Sequence, residues 1–181
     1  MTQAVTVRAL VGEDAEPLAD LYLANREHLA PFEPTHDEAF YTLAGQRHRV
    51  AAALADREQG RSLPFVIEVD GRPAGRVNVT NIALGGFRSG SLGYWVAADT
   101  VGRGVATSAV RQVIDDCFTN HGLHRLEAGT LVDNLASQKV LEHTGFSLIG
   151  LAPRYLLVAG QWRDHLLFQR VADDPPPGTG C

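Results

Sequence analysis

Tyr94-Trp95-Val96-Ala97-Ala98-Asp99-Thr100-Val101-Gly102-Arg103-Gly104-Val105-Ala106-Thr107 is the stretch of this chain that says most about its fold. Tyr94 to Val96 end a strand and two glycines make a turn. An amphipathic helix follows, with Ala106, Val110, Val113, Ile114, Cys117 and Phe118 as its apolar stripe. Glycine lets a backbone come close to a ligand. A helix start leaves N–H groups unpaired and turns a positive dipole end outward. Together these suit a pyrophosphate, and Arg103 adds a charge-assisted bond. The competing reading is a tight strand-to-helix connection that holds no ligand. Two phosphate loops are excluded. There is no Gly-Lys-Ser/Thr, and the third glycine of a dinucleotide fingerprint is missing from a turn that also comes late in the chain.

Outward from the turn, apolar and polar residues alternate between strand and helix periods. Val5 to Ala9 reads as a strand. Ala15, Leu18, Leu21 and Tyr22 mark a helix over Glu13 to Asn25. Two prolines break regularity between Asn25 and Pro34, and a longer helix is expected from Asp37 to Gln59 with Gly60 as its stop. Leu63 to Val69 is a strand, and Asp70-Gly71 is a hairpin signal before Pro73 to Leu84. After Gly85-Gly86 come a strand from Ser91 to Val96 and the helix to about Asn120. A strand from Arg125 to Val132 follows, then a helix from Asn134 to His143. Strands Ser147 to Val158 and Gln161 to Arg170 flank Ala159-Gly160. The order predicts a mixed α/β domain around one sheet.

The 181 residues, 45% hydrophobic and 20% charged, fit one globular domain, expected over 1–171. Residues 172–181, mostly Asp, Pro and Gly, are expected to be a disordered tail. No apolar run is long enough to cross a bilayer, and residues 1–10 lack the layout of a secretory signal, so the expected location is cytoplasmic without membrane attachment. A net charge of −5 argues against direct nucleic-acid binding. Cys117 and Cys181 give no disulfide framework, and no histidine spacing suggests a metal site.

Arg103-Gly104-Val105-Ala106, Asn134-Leu135-Ala136-Ser137 and Gly145-Phe146, in this order, resemble the GCN5-related N-acetyltransferase (GNAT) superfamily. Three segments narrow the likeness to the RimJ/RimL group of ribosomal-protein alanine N-acetyltransferases. They are Asn25-Arg26 with Leu29 to Pro34, Asn134 with Ser137, and Tyr155-Leu156-Leu157 with Gly160 to His165. The resemblance implies the GNAT fold, a mixed sheet of about seven strands with flanking helices and a splayed parallel pair. It implies acetyl-coenzyme A as cosubstrate and no metal. The pantetheine arm would pair with Tyr94, Trp95 and Val96, and the pyrophosphate would lie on the turn from Gly102 to Thr107. Asn134 would bond the pantetheine, and Ser137 would protonate the leaving thiolate. Asn25, Arg26, Glu33, Tyr155 and Trp162 would line the acceptor site. The acceptor would be a protein N-terminus, with a small amine as the alternative; a non-catalytic acetyl-coenzyme A sensor is a third reading, and a homodimer is allowed.

This sequence departs from the family in three places. Val101 replaces a Gln or Arg that opens the phosphate turn, Leu141 replaces a Tyr acid, and Arg154 replaces an acidic residue before the late-strand Tyr. Proton removal therefore needs another carboxylate. Glu127 shares a strand face with Gly129, near where related enzymes carry a base, and its competing role is a surface carboxylate paired with an arginine. Glu33, in the proline-rich segment, would hold the cationic acceptor rather than take its proton. Tyr155 and Trp162 compete with a core role. Asp164 and His165 are a pair that would orient one another, with a structural role as the alternative.

Overall fold

Each of these apolar stripes packs on one side of a single sheet. The computed structural model describes residues 4–173. Its strands are β1 (Val5–Ala9), β2 (Leu63–Val69), β3 (Arg72–Ala83), β4 (Ser89–Val96), β5 (Arg125–Leu131), β6 (Ser147–Val158) and β7 (Gln161–Val171). They form one seven-stranded sheet in the order β1-β2-β3-β4-β5-β7-β6. Only β4 and β5 run parallel; every other neighbouring pair is antiparallel. This is the expected α/β architecture.

Helices α1 (Ala15–Ala24), α2 (Arg26–Leu29) and α3 (Leu43–Glu58) cover one face, and α4 (Val105–Thr119) and α5 (Leu135–His143) the other. Phe65, Ile67, Val77 and Val79 pack with Val110, Val113 and Cys117 of α4. Val66 turns the other way, toward Leu18, Tyr22 and Val50. With helices on both sides, β2 is buried on both faces, which is why Leu63 to Ile67 reads as an unbroken apolar run. Asp70 and Gly71 both take positive φ, as do Ala159 and Gly160, so both hairpins turn with the hand that matches strand twist.

Three local features differ from expectation. The helix expected over 37–59 is split. Asp37 caps a single 3-10 turn at Glu38–Tyr41, and Thr42 then caps α3 by accepting from Gly45 N. The corner is so tight that a side chain on Gly45 would begin 1.9 Å from the Ala39 carbonyl oxygen. The proline-rich segment contains the short α2. Strand β6 also carries a wide bulge, because Ala152 pairs with His165 and Leu156 with Arg163, leaving three residues opposite Asp164 alone. The tail expected at 172–181 lies outside the described residues from 174 on, as does Cys181. Cys117 is wholly buried, and burial pushes its thiol up to about 12. Among the described residues no helix is long and apolar enough to cross a membrane, and no group of side chains could hold a metal.

Candidate active site

The sheet opens at its parallel seam. Strands β4 and β5 pair only from Ser89 to Ser91 and from Arg125 to Glu127. Beyond that, Tyr94, Trp95 and Val96 bond only to β3, and Ala128 to Leu131 only to β7. Two strand edges with unused backbone groups therefore face each other across a gap. An extended ligand rich in amides can pair with such edges.

At the wide end of the gap the chain makes the glycine-rich turn. Gly102 and Gly104 both hold left-handed backbones, at φ 77° and 76°. Gly104 is the N-cap of α4 and offers no side chain to cap it. The first capping-type bond runs from Ser108 N to the Gly104 carbonyl. Arg103 N makes only a long 3.4 Å bond to the Thr100 carbonyl. The N–H groups of Gly102, Gly104, Val105, Ala106 and Thr107 have no protein partner among the described residues. A side chain built on either glycine would meet only open space, so the turn is unobstructed. Amides converging on a helix start are a site for a diphosphate, and the exposed Arg103 lies among them.

Asn25 holds this turn in place. It was expected in the acceptor wall, but both ends of its buried amide are used on backbone. Its Nδ2 donates to the Leu21 carbonyl at 2.8 Å, and its Oδ1 accepts from Ala98 N at 2.8 Å. A carboxamide that donates and accepts at once suits a clamp between α1 and the exit of β4.

On the α5 side, Asn134 Oδ1 caps the helix by accepting from Ser137 N at 3.1 Å, which leaves its Nδ2 without a partner among the described residues. The Ser137 hydroxyl does not bond back to its own helix. It lies 2.7 Å from the Tyr94 hydroxyl, which also reaches the Ser137 carbonyl at 3.1 Å. Burial pushes Tyr94 up to about 12, against the opposing pull of Ser137, so its proton stays on. Given to Ser137 Oγ, that proton frees the serine's own hydrogen for a third atom. Leu141, one turn along α5 from Ser137, is wholly buried in the core.

The proline-rich segment and the β6–β7 hairpin are tied together by Ala159 N donating to the Glu33 carbonyl. Between them lies a hollow of about 240 Å³ lined by Arg26, Glu33, His36, Tyr41 and others. Arg26 is held by Glu38 in a two-pronged pair at 3.0 and 2.5 Å and lies over the Tyr41 ring. Glu33 lies 3.3 Å from His36 Nε2. Burial raises the Glu33 carboxyl, with Arg49 opposing, while burial and Arg49 both lower His36. Each shift favours the neutral form of its group.

Tyr155 and Trp162 are 52% and 58% exposed, so neither is a core residue. Trp162 lines a second hollow, of about 380 Å³, with Val132 and Asp133. Tyr155 is the last residue of the bulge and stacks obliquely against His165, centroids 5.4 Å apart. Asp164 does not orient His165; it accepts from Arg154 N and pins the bulge instead. Glu127 shares the Gly129 face, as expected, at the last paired position before the gap opens. Its carboxylate is taken by Arg125 at 2.7 Å, the paired-arginine role. Sequence reasoning missed the clamp of Asn25, the hydroxyl partner of Ser137 and the setting of His165. Of these only the last had a signal, since β7 alternation puts His165 on the same face as Leu167, beside Gly129.

Residues 4–147 match the family model of the acetyltransferase (GNAT) domain. The ribosomal protein uS5-alanine N-acetyltransferase of Escherichia coli is 32% identical over 179 residues, which span 98% of this chain and 92% of that protein. The probable N-acetyltransferase YjcK of Bacillus subtilis is 34% identical over 163 residues, spanning 89% and 90%. Among solved structures, Mycobacterium smegmatis RimJ in complex with CoA-disulfide superposes with a TM-score of 0.90 at 39% identity, covering 95% of this chain and 84% of that one.

Proposed function

Because this chain belongs to the GNAT family of acetyltransferases, we propose that it moves the acetyl group of acetyl-coenzyme A to the N-terminal α-amine of a protein, an alanine-starting ribosomal protein being the acceptor class. The observation that carries the reading is the set of five unpartnered N–H groups from Gly102 to Thr107, at the end of a gap between two open strand edges. The diphosphate lies on those amides with Arg103. The pantetheine arm runs along Tyr94 to Val96, with Asn134 Nδ2 on its other side. The thioester then lies between β4 and β5, with Ser137 near its sulfur. Backbone N–H at Val96 steadies the oxyanion, and Tyr94 holds the serine so that its proton meets the departing sulfur.

The acceptor arrives from the face that carries Glu33, Tyr155 and Trp162. Glu33 and Glu127 make that face attractive to an ammonium group, and Arg125 keeps Glu127 aimed at the mouth of the gap. The domain spans 1–171 and acts in the cytoplasm.

A panel of short peptides and small amines tests the reading by release of free coenzyme A. Turnover of Ala-starting peptides, and little of amino acids or polyamines, is expected. Turnover confined to the small amines would overturn the choice of acceptor. Binding of coenzyme A with no transfer to any amine would overturn catalysis itself.

A further inference from the structure

The bulge in β6 leaves one buried titratable side chain beside the gap that the reaction above does not use. His165 is only 5% exposed. Its Nδ1 lies 3.1 Å from the Arg163 carbonyl. A carbonyl can only accept, so Nδ1 carries the hydrogen and Nε2 keeps its lone pair. Cδ2, the ring carbon bonded to Nε2, lies 3.7 Å from the point where a side chain on Gly129 would begin. Gly129 is exposed and has no side chain, so the Cδ2–Nε2 edge of the ring reaches the stretch of β5 that β4 leaves unpaired. Nε2 has no hydrogen-bond partner among the described residues. The charged and titratable groups that share this face are Tyr155 from β6, Arg163 from β7, which pairs with Asp133, and the Arg125–Glu127 pair from β5.

We infer that His165 Nε2, directly or across one water, receives the proton of the attacking amine. The inference rests on the acetyltransferase reading. The ammonium gives one proton to Nε2, making an imidazolium that later releases it to solvent. The freed nitrogen pair bonds to the thioester carbon. When the C–S bond breaks, its electron pair leaves on sulfur, and the second proton lost by nitrogen is matched by the one that sulfur gains. An amide, a thiol and one free proton result.

His165→Asn is the informative change. Asparagine keeps an N–H within reach of the Arg163 carbonyl and removes the basic nitrogen. We expect it to melt like the unaltered chain and to bind coenzyme A equally well by calorimetry. Its kcat for an Ala-starting peptide should fall by about a hundredfold or more. The pH profile of kcat/KM should change shape, because the group that takes the proton is gone. Near-normal transfer with an unchanged pH profile overturns the assignment of His165 and leaves the enzyme reading intact. Absence of transfer by the unaltered chain, with coenzyme A bound, overturns both. Nitrogen-15 spectra of the unaltered chain give a readout independent of turnover or of the variant's folding: an Nδ1–H tautomer supports the inference, and an Nε2–H tautomer overturns it.

Discussion

Glu33 is a residue at which folding and binding favour opposite states. Burial holds its carboxyl above the ordinary value, so the folded chain prefers the neutral form while the acceptor prefers the anion. A group with a raised folded-state pKa gives its full stability below the unfolded value and loses it as pH rises through the folded one. Glu33→Gln should therefore be the more stable protein at pH 7, with the gain shrinking toward pH 4. Its KM for peptide should rise at pH 7. Urea denaturation at the two pH values, together with initial rates, checks both. A second residue-scale expectation concerns the hydroxyl pair. Ser137→Ala should lower kcat about a hundredfold at saturating substrate, and Tyr94→Phe by a smaller factor, with coenzyme A affinity unchanged in both. If Tyr94→Phe leaves kcat untouched, the 2.7 Å contact does not position the serine.

At the scale of elements, the glycine-rich turn supports the sharpest expectation. Gly104 is left-handed, and a β-branched L-residue there costs about 1–2 kcal/mol. Gly104→Val should lower stability by about that amount. It should weaken coenzyme A binding more than peptide binding, as calorimetry would show, because it distorts the N–H cradle directly. Thr42→Ala removes the cap of α3 and should cost about 1 kcal/mol, with no change in kcat. These elements also mark where the sequence was legible. Strand β2, the Asp70-Gly71 hairpin and α4 follow from local patterns, because the apolar period and turn residues that specify them lie within the element itself. The break at Thr42 was hidden because Ala39 to Leu54 keeps a helix-like pattern across a corner that only Gly45 permits. The β6 bulge was hidden because its cause is the Asp164 side chain on the neighbouring strand, 10 residues away. The face of His165 follows from β7 alternation, but its burial beside Tyr155 depends on that bulge. The Asn25 clamp was hidden because its partner Ala98 lies 73 residues away.

For the molecule as a whole, the sheet is two half-sheets, β1–β4 and β5–β7–β6, that share a short parallel seam. A ligand that bridges the halves should stabilise the entire fold. At a coenzyme A concentration about a hundredfold above its Kd, unfolding should become harder by about 2.7 kcal/mol. Scanning calorimetry would register this as a single, higher transition; two separate transitions would show that the halves unfold independently. The bare strand edges have one further consequence, for solvent. In the free protein the gap-facing edge of Tyr94 to Val96 meets water, and a guest's amides exchange those water bonds for similar protein ones at little net gain. Retention then depends on the ionic grip at the glycines, which weakens as salt screens it. A pantetheine thioester stripped of its nucleotide should displace the same water and dissociate almost as readily as it arrives.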